Sequence, residues 1–296
     1  MRRRTFLALM LALAMVAAAC GSDDSTSDPT SAPAATTTTA GGSDATTSTT
    51  EAEMMTPCST STPESCAGTI VLGAAVSETG RFSREGKDTR QGYGTWVDWV
   101  NEEYGGIKVG DDHYLVELIQ YDDEGDADTA ANLVERLITE DEVDFLLGPY
   151  SSGLTMGTSA IAEKYGVIMV EGNGASETIF ERGFENIFAV LTPAGNYTQS
   201  AIKALADAGA ETMVIAYEDT AFPTSVGAGA VKWAAEYGVD VLAEETYPLN
   251  VADVSAIMTK FRDLDPDIFV GGGHFNDALL FVRGAKDVGW TPKGMV

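Results

Sequence analysis

The chain has 296 residues, 44% of them hydrophobic, and a formal net charge of −27. That length holds one large or two ordinary domains with substantial cores. The charge excludes a nucleic-acid partner, whose phosphates require Lys and Arg, and implies a strongly solvated surface.

The first residues read as a targeting segment. Arg2, Arg3 and Arg4 precede the apolar run 6–19, which is too short and too Ala-rich for a membrane span. It ends Ala17-Ala18-Ala19-Cys20-Gly21-Ser22, which resembles a bacterial lipobox with Ala17 where Leu is usual. Residues 1–19 are therefore expected to be a lipoprotein signal peptide. Cys20 is the expected lipidation site, anchoring the protein to the outer face of the cell membrane. Arg3-Arg4-Thr5-Phe6-Leu7 also fits a twin-arginine export signal, so two export routes stay open. Residues 20–67 are rich in Ser, Thr, Ala, Asp and Pro, too polar to offset conformational entropy, and are expected to form a disordered tether. Near its end stand Cys58 and Cys66. In an oxidising compartment so close a pair is expected to form a disulfide, and with no His beside them no metal site is expected.

From about residue 68 strands and helices alternate, the pattern of parallel sheets covered on both faces. The first series predicts strands over 69–76, 114–121, 143–147, 167–170 and near 187–190, with helices over 88–104 and 127–140. Trp96 and Trp99 read as core residues of the first helix. A second series predicts helices over 194–208, 222–237, 254–264 and 276–288, and strands over 212–217, 239–247 and 267–271. Residues 68–191 and 192–296 are thus expected to form two Rossmann-like lobes with a cleft between them. Residues 294–296 look like a further strand beginning, so the second lobe is expected to be partial and the sequence truncated at its C-terminal end.

One stretch organises the first lobe. The apolar run 143–147 leads into Gly148-Pro149-Tyr150-Ser151-Ser152-Gly153, and Ser151 or Ser152 can cap the helix that follows. A strand feeding a Ser-capped helix presents backbone N–H groups and two hydroxyls at the carboxyl end of a parallel sheet, geometry that suits a carboxylate.

Taken together, residues 68–296 resemble the type I periplasmic-binding-protein fold, and within it the leucine/isoleucine/valine-binding group of ABC-importer substrate-binding proteins. The resemblance rests on blocks in order: 73–80, Gly86-Lys87-Asp88, Tyr121-Asp122-Asp123, 148–153, Glu181-Arg182-Gly183-Phe184 with Phe188, Tyr217-Glu218-Asp219 and Gly271-Gly272-Gly273-His274. It implies that Ser151 and Ser152 receive a ligand's carboxylate, and that Asn173, Gly174, Ala175 and Ser176 add carboxylate and amine contacts. With Ala175 where relatives carry Thr or Ser, only its backbone N–H is implied to serve. Phe222 is implied to cover the ligand and Asp277 to meet an ammonium group. The partners implied are a small-molecule ligand, an amino acid or analogue, and an ABC permease, with no cofactor. A usual Thr-Gly-Pro is here Thr79-Gly80-Arg81. Arg81 is left with two readings, a cleft residue meeting an acidic or larger ligand and a solvated loop arginine.

The expected function is therefore an extracytoplasmic, membrane-anchored solute-binding protein that closes two lobes on its ligand and is not an enzyme. An extracytoplasmic sensor subunit on the same fold is one alternative. An α/β hydrolase is the other, and it lacks the Gly-x-Ser-x-Gly elbow at Tyr150-Ser151-Ser152-Gly153. The acidic stretch 122–128 lacks the spacing of a calcium loop, and neither Gly172-Asn173-Gly174 nor Gly271-Gly272-Gly273 matches a nucleotide motif.

Overall fold

Short apolar runs, each cut off by Gly, Pro or an acidic turn, become one strand or one helix apiece. The computed structural model describes residues 58–296. The expectations for the signal segment, for Cys20 and for most of the tether lie outside the described residues. In order come β1 (Gly68–Ala75), α1 (Ser83–Glu102), β2 (Ile107–Val109), β3 (Asp112–Tyr121) and α2 (Ala127–Thr139). They continue with β4 (Phe145–Leu147), α3 (Ser152–Tyr165), β5 (Met169–Glu171), α4 (Glu177–Phe180) and β6 (Ile187–Ala189). These strands form one sheet in the order β2-β3-β1-β4-β5-β6, parallel except where β2 pairs antiparallel with β3.

After a 3-10 turn at Ala194–Asn196 a second unit of the same kind is built. It contains α5 (Gln199–Asp207), β7 (Thr212–Glu218), α6 (Ala221–Tyr237), β8 (Asp240–Tyr247) and α7 (Ser255–Leu264), then β9 (Ile268–Gly272), α8 (Phe275–Asp287) and β10 (Gly294–Met295). The second sheet runs β10-β9-β7-β8, all parallel. This is the α/β architecture of two parallel-rich sheets flanked by helices. Each lobe has its own core: Val134, Leu137, Leu146, Met169 and Ile179 in the first, Met258, Phe261, Phe269, Phe281 and Trp290 in the second.

Several elements differ from the sequence reading, each for a local reason. Helix α1 starts at Ser83 rather than 88, because the polar residues 83–87 are a good first turn, with Glu85 on the positive end of the helix dipole. Gly80 makes the bend ahead of it with φ 78°, where any Cβ would strike the Glu124 carbonyl. Trp96 and Trp99, expected in the core, are 40% and 47% exposed. They fall beside the buried stripe of Gly86, Thr89 and Val100, and Trp99 stacks on Tyr104 instead. Strand β2 was not legible: it is three residues long and follows Gly105 and Gly106, both at positive φ. The predicted helix over 194–208 divides into the 3-10 turn and α5.

Side chains at the turns do the remaining positioning. Asp126 caps α2, accepting the Thr129 N–H at 2.8 Å. Asp122 accepts the N–H groups of Glu78, Thr79 and Glu124, so these carboxylates are turn acceptors. Among the described residues no group of three or more His, Cys, Asp or Glu is arranged to hold a metal, and no helix is long and apolar enough to cross a membrane. Cys58 and Cys66 are joined as a disulfide with their Cα atoms 4.9 Å apart.

Phe261 is fully buried in the second-lobe core. Phe261→Ala is expected to destabilise the protein by about 3–5 kcal/mol, through lost burial and the cavity left behind. Urea unfolding measures this directly.

Candidate functional site

Between the sheets lies a cavity of about 420 Å³ lined by both lobes. Its first-lobe wall begins where β4 ends. Gly148-Pro149 stops the strand, Ser151 becomes the N-cap of α3 in extended conformation, and Ser151 and Ser152 face the cavity. The Ser151 hydroxyl caps none of the helix N–H groups. The Ser152 hydroxyl accepts the Ser176 N–H at 3.1 Å, tying the β4–α3 turn to the β5–α4 loop. Asn173, on that loop, reaches the cavity with its amide held from α1: Thr89 donates to its Oδ1 at 3.2 Å, and its Nδ2 donates to the Tyr93 hydroxyl at 2.9 Å.

The opposite wall is aromatic. Phe222 stands at the start of α6, with Tyr197 edge-on to it at 5.5 Å and His274 at 5.7 Å between ring centroids. Phe275 opens α8, and the Arg84 guanidinium of α1 lies 3.6 Å from its ring centre. His274 Nδ1 and the Tyr150 hydroxyl are hydrogen-bonded at 2.6 Å, a direct bridge between lobes. Burial, and secondarily Arg81, push His274 down to about 4 against the pull of Glu218, so its imidazole is neutral at pH 7. Burial is also the main cause that raises the Tyr150 phenol above its usual range.

Beside this cavity an ion pair crosses the cleft. Arg81, from the β1–α1 loop, pairs with Glu218, the fully buried last residue of β7. Its guanidinium also lies 3.6 Å from Asp277 on α8 and 3.4 Å from the Asn250 side-chain oxygen. Thr220 donates to the other Glu218 oxygen at 2.7 Å. Arg81 is thus not a solvated loop residue, because a buried carboxylate in the facing lobe claims it.

Of the residues singled out from sequence, Ser151, Ser152, Asn173 and Phe222 line the 420 Å³ cavity. Gly174, Ala175, Ser176 and Asp277 are not among its lining residues. The Gly174 N–H donates to the buried Glu171 carboxylate at 2.6 Å. Ala175 packs against Ala194 and Val226. Ser176 points to the other lobe, its hydroxyl 2.8 Å from that of Ser225. Asp277 accepts the His274 N–H at 2.8 Å and sits in an adjoining space of about 390 Å³ with Arg81 and Glu85. Sequence reasoning missed Tyr197, Glu85, Phe275, Glu171 and Glu218. For the two buried acids a signal existed, since each is the single charge ending an apolar strand, Met169-Val170-Glu171 and Ile215-Ala216-Tyr217-Glu218.

Comparison with known proteins agrees with this architecture. A family model described as periplasmic binding protein matches residues 69–296. Leu/Ile/Val-binding protein homolog 7 of Brucella abortus (strain 2308) is 25% identical over 236 residues, 77% of this chain and 58% of that protein. Among solved structures, the branched-chain amino acid transporter substrate binding protein LivJ from Streptococcus pneumoniae, in complex with isoleucine, has a TM-score of 0.62 and 25% identity. The alignment covers 76% of this chain and 62% of LivJ. A solute binding protein of an ABC transporter from R. palustris, in complex with 4-hydroxybenzoate, has a TM-score of 0.67 at 24% identity, over 75% of this chain and 58% of that one. The protein described here therefore spans about six-tenths of the length of the relatives it matches.

Two outcomes are expected from this geometry. Arg81→Met strands the buried Glu218 charge and is expected to cost roughly 3–5 kcal/mol in denaturant unfolding. For His274, the folded group binds fewer protons than the unfolded one between about 4 and its ordinary 6.5, so stability falls as pH drops through that window. The full effect is about 3 kcal/mol. Melting curves of His274→Asn are expected to lack this part of the acid sensitivity.

Proposed function

The chain belongs to the periplasmic binding protein family, and from that premise we propose that it is an extracytoplasmic solute-binding protein of an ABC importer. It captures an amino acid or related small molecule between its lobes and presents it to a membrane permease. The observation that carries this reading is the cavity shared by the two lobes, with a hydroxyl pole at the start of α3 and aromatic walls.

The chemistry follows from those walls. The N-terminal end of α3, a helix of 14 residues, carries partial positive charge, and Ser151 and Ser152 add hydroxyl donors beside it. A carboxylate placed there makes charge-assisted hydrogen bonds, worth about 1.5–3 kcal/mol each. Tyr197, Phe222 and Phe275 then cover the apolar body of the ligand. Glu85 gives the cavity a negative group at its α1 side, so a zwitterion has a partner for its ammonium end. Asp277 is less suited to that task, since it faces Arg81 at 3.6 Å in the adjoining space and does not line this cavity. LivJ was solved with isoleucine and fits this class of ligand. Recognition needs no bond to be made or broken: the lobes enclose the ligand, and reopening releases it.

Localisation completes the reading. A lipid on Cys20 and the polar stretch after it would hold the binding lobes near a membrane permease. Cys20→Ala is expected to release the protein from the membrane fraction, and retention there contradicts the anchor.

The binding reading is tested by calorimetry with a panel of amino acids and small organic acids. Replacing Ser151 and Ser152 together by Ala is expected to weaken a carboxylate-bearing ligand by about 1–3 kcal/mol. Unchanged affinity would remove both serines from the site.

A further inference from the structure

Glu171 takes no part in the reading above, yet it stands beneath the first-lobe half of the cavity. It is the last residue of β5 and fully buried. Its Oε1 accepts the N–H groups of Asn173 and Gly174, each at 2.6 Å, and its Oε2 accepts the Thr155 hydroxyl of α3 at 2.8 Å. Gly148 packs so closely on the carboxylate that any Cβ there would overlap it. One carboxylate therefore joins the β4–α3 turn, the first turns of α3 and the β5–α4 loop. These are the pieces that present Ser151, Ser152 and Asn173.

We propose that Glu171 is a positioning residue of the ligand site, and that a ligand's carboxylate binds there with uptake of one proton by Glu171. This rests on the cavity being the ligand site. A second negative charge at Ser151 and Ser152 meets Glu171 across a poorly screened interior, which favours the neutral acid. The surrounding network accommodates that form. Besides Glu171, Thr155 Oγ1 has the carbonyl oxygens of Ser151 and Pro149 at 3.0 and 3.2 Å. A protonated Oε2 donates to Thr155 Oγ1, and Thr155 turns its own hydrogen to one of those carbonyls. Oε1 keeps both backbone N–H groups, so the loops hold their shape.

The ionisation of Glu171 lies in the right range for this exchange. Burial pushes its carboxyl up to about 7, against the opposing pull of the N–H groups of Gly174, Asn173 and Gly172 and of the Thr155 hydroxyl. The titratable group facing it from α1 is Tyr93, whose phenol is raised by burial and then by the Glu171 charge, and stays neutral. Tyr93 in turn donates to the Gly148 carbonyl at 2.7 Å. From α3 the facing group is Thr155, from the β4–α3 turn Gly148, and from the strand-end segment after β6 the backbone of Val190, whose N–H donates to the Glu171 carbonyl.

Glu171→Gln on the full-length protein tests the proposal, because Gln keeps the shape and mimics the protonated acid. Calorimetry uses L-isoleucine and 4-hydroxybenzoate as probes, in two buffers of different ionisation enthalpy. Wild type is expected to take up a proton on binding and to bind about tenfold more weakly at pH 8 than at pH 6. Glu171→Gln is expected to show no uptake and equal affinity at both. A flat wild-type profile, or a slope kept in Glu171→Gln, overturns the proposal; a merely structural role would weaken both pH values alike. A ligand-free readout separates the two layers of the claim. Folded Glu171 holds a proton that the unfolded state has lost between its ordinary 4.5 and about 7. Wild-type melting temperature should therefore fall relative to Glu171→Gln as pH rises through that window. Parallel melting curves overturn the proposal. Diverging curves with neither probe bound at either pH overturn the ligand reading of the cavity instead, and leave the titration of Glu171 standing.

Discussion

The contact between Arg81 and Glu218 is the constraint on which the site depends. A carboxylate at the end of a buried strand is costly unless a cation meets it, and here the cation comes from the other lobe. The pair therefore acts as a spacer as well as an attraction. It sets how near the β1–α1 loop comes to the carboxyl end of β7, and hence the width of the cleft beside it. Tyr150 with His274, Arg84 with Phe275 and Ser176 with Ser225 then close the remaining interlobe surface.

Two kinds of electrostatics meet across this cleft. On the second-lobe side one cation serves two acids: Arg81 stands between Glu218 and Asp277, and His274 remains neutral among aromatic rings. On the first-lobe side an acid is buried with hydrogen-bond donors and no cation. Burial pushes the Glu171 carboxyl up to about 7, and the N–H and O–H dipoles around it offset that burial only in part. The cavity lies between a wall of aromatic rings and a floor of hydroxyls and backbone held by buried Glu171. A ligand entering it meets hydroxyls and aromatic faces first, and fixed charge only at Arg84 and Glu85.

Much of the architecture was legible in the residues, because the alternation of apolar strands with amphipathic helices is a local signal. The turn after β4 was readable for the same reason: Gly148-Pro149 must end a strand, and Ser151 is a natural start for a helix. Phe222 and Asn173 were reached through family likeness and do line the cavity. What escaped was long-range. Nothing near Arg81 in sequence discloses a partner at Glu218, because the contact joins two lobes. Gly174, expected at a ligand, donates its N–H to the protein's own Glu171. Trp96 and Trp99 misled for a different reason: large apolar residues on a mostly polar helix suggest a core face, while small residues at Gly86 and Thr89 make the actual contact.

The most direct test of this account is a double-mutant cycle on the cross-cleft pair, with Arg81→Met, Glu218→Gln and both together, read by denaturant unfolding. If the pair is the constraint described, removing Arg81 alone leaves a buried charge. Removing both then costs clearly less than the sum of the single losses, with a coupling of about 2–3 kcal/mol. Additive losses would mean that Arg81 and Glu218 act independently, and that something else sets the width of the cleft.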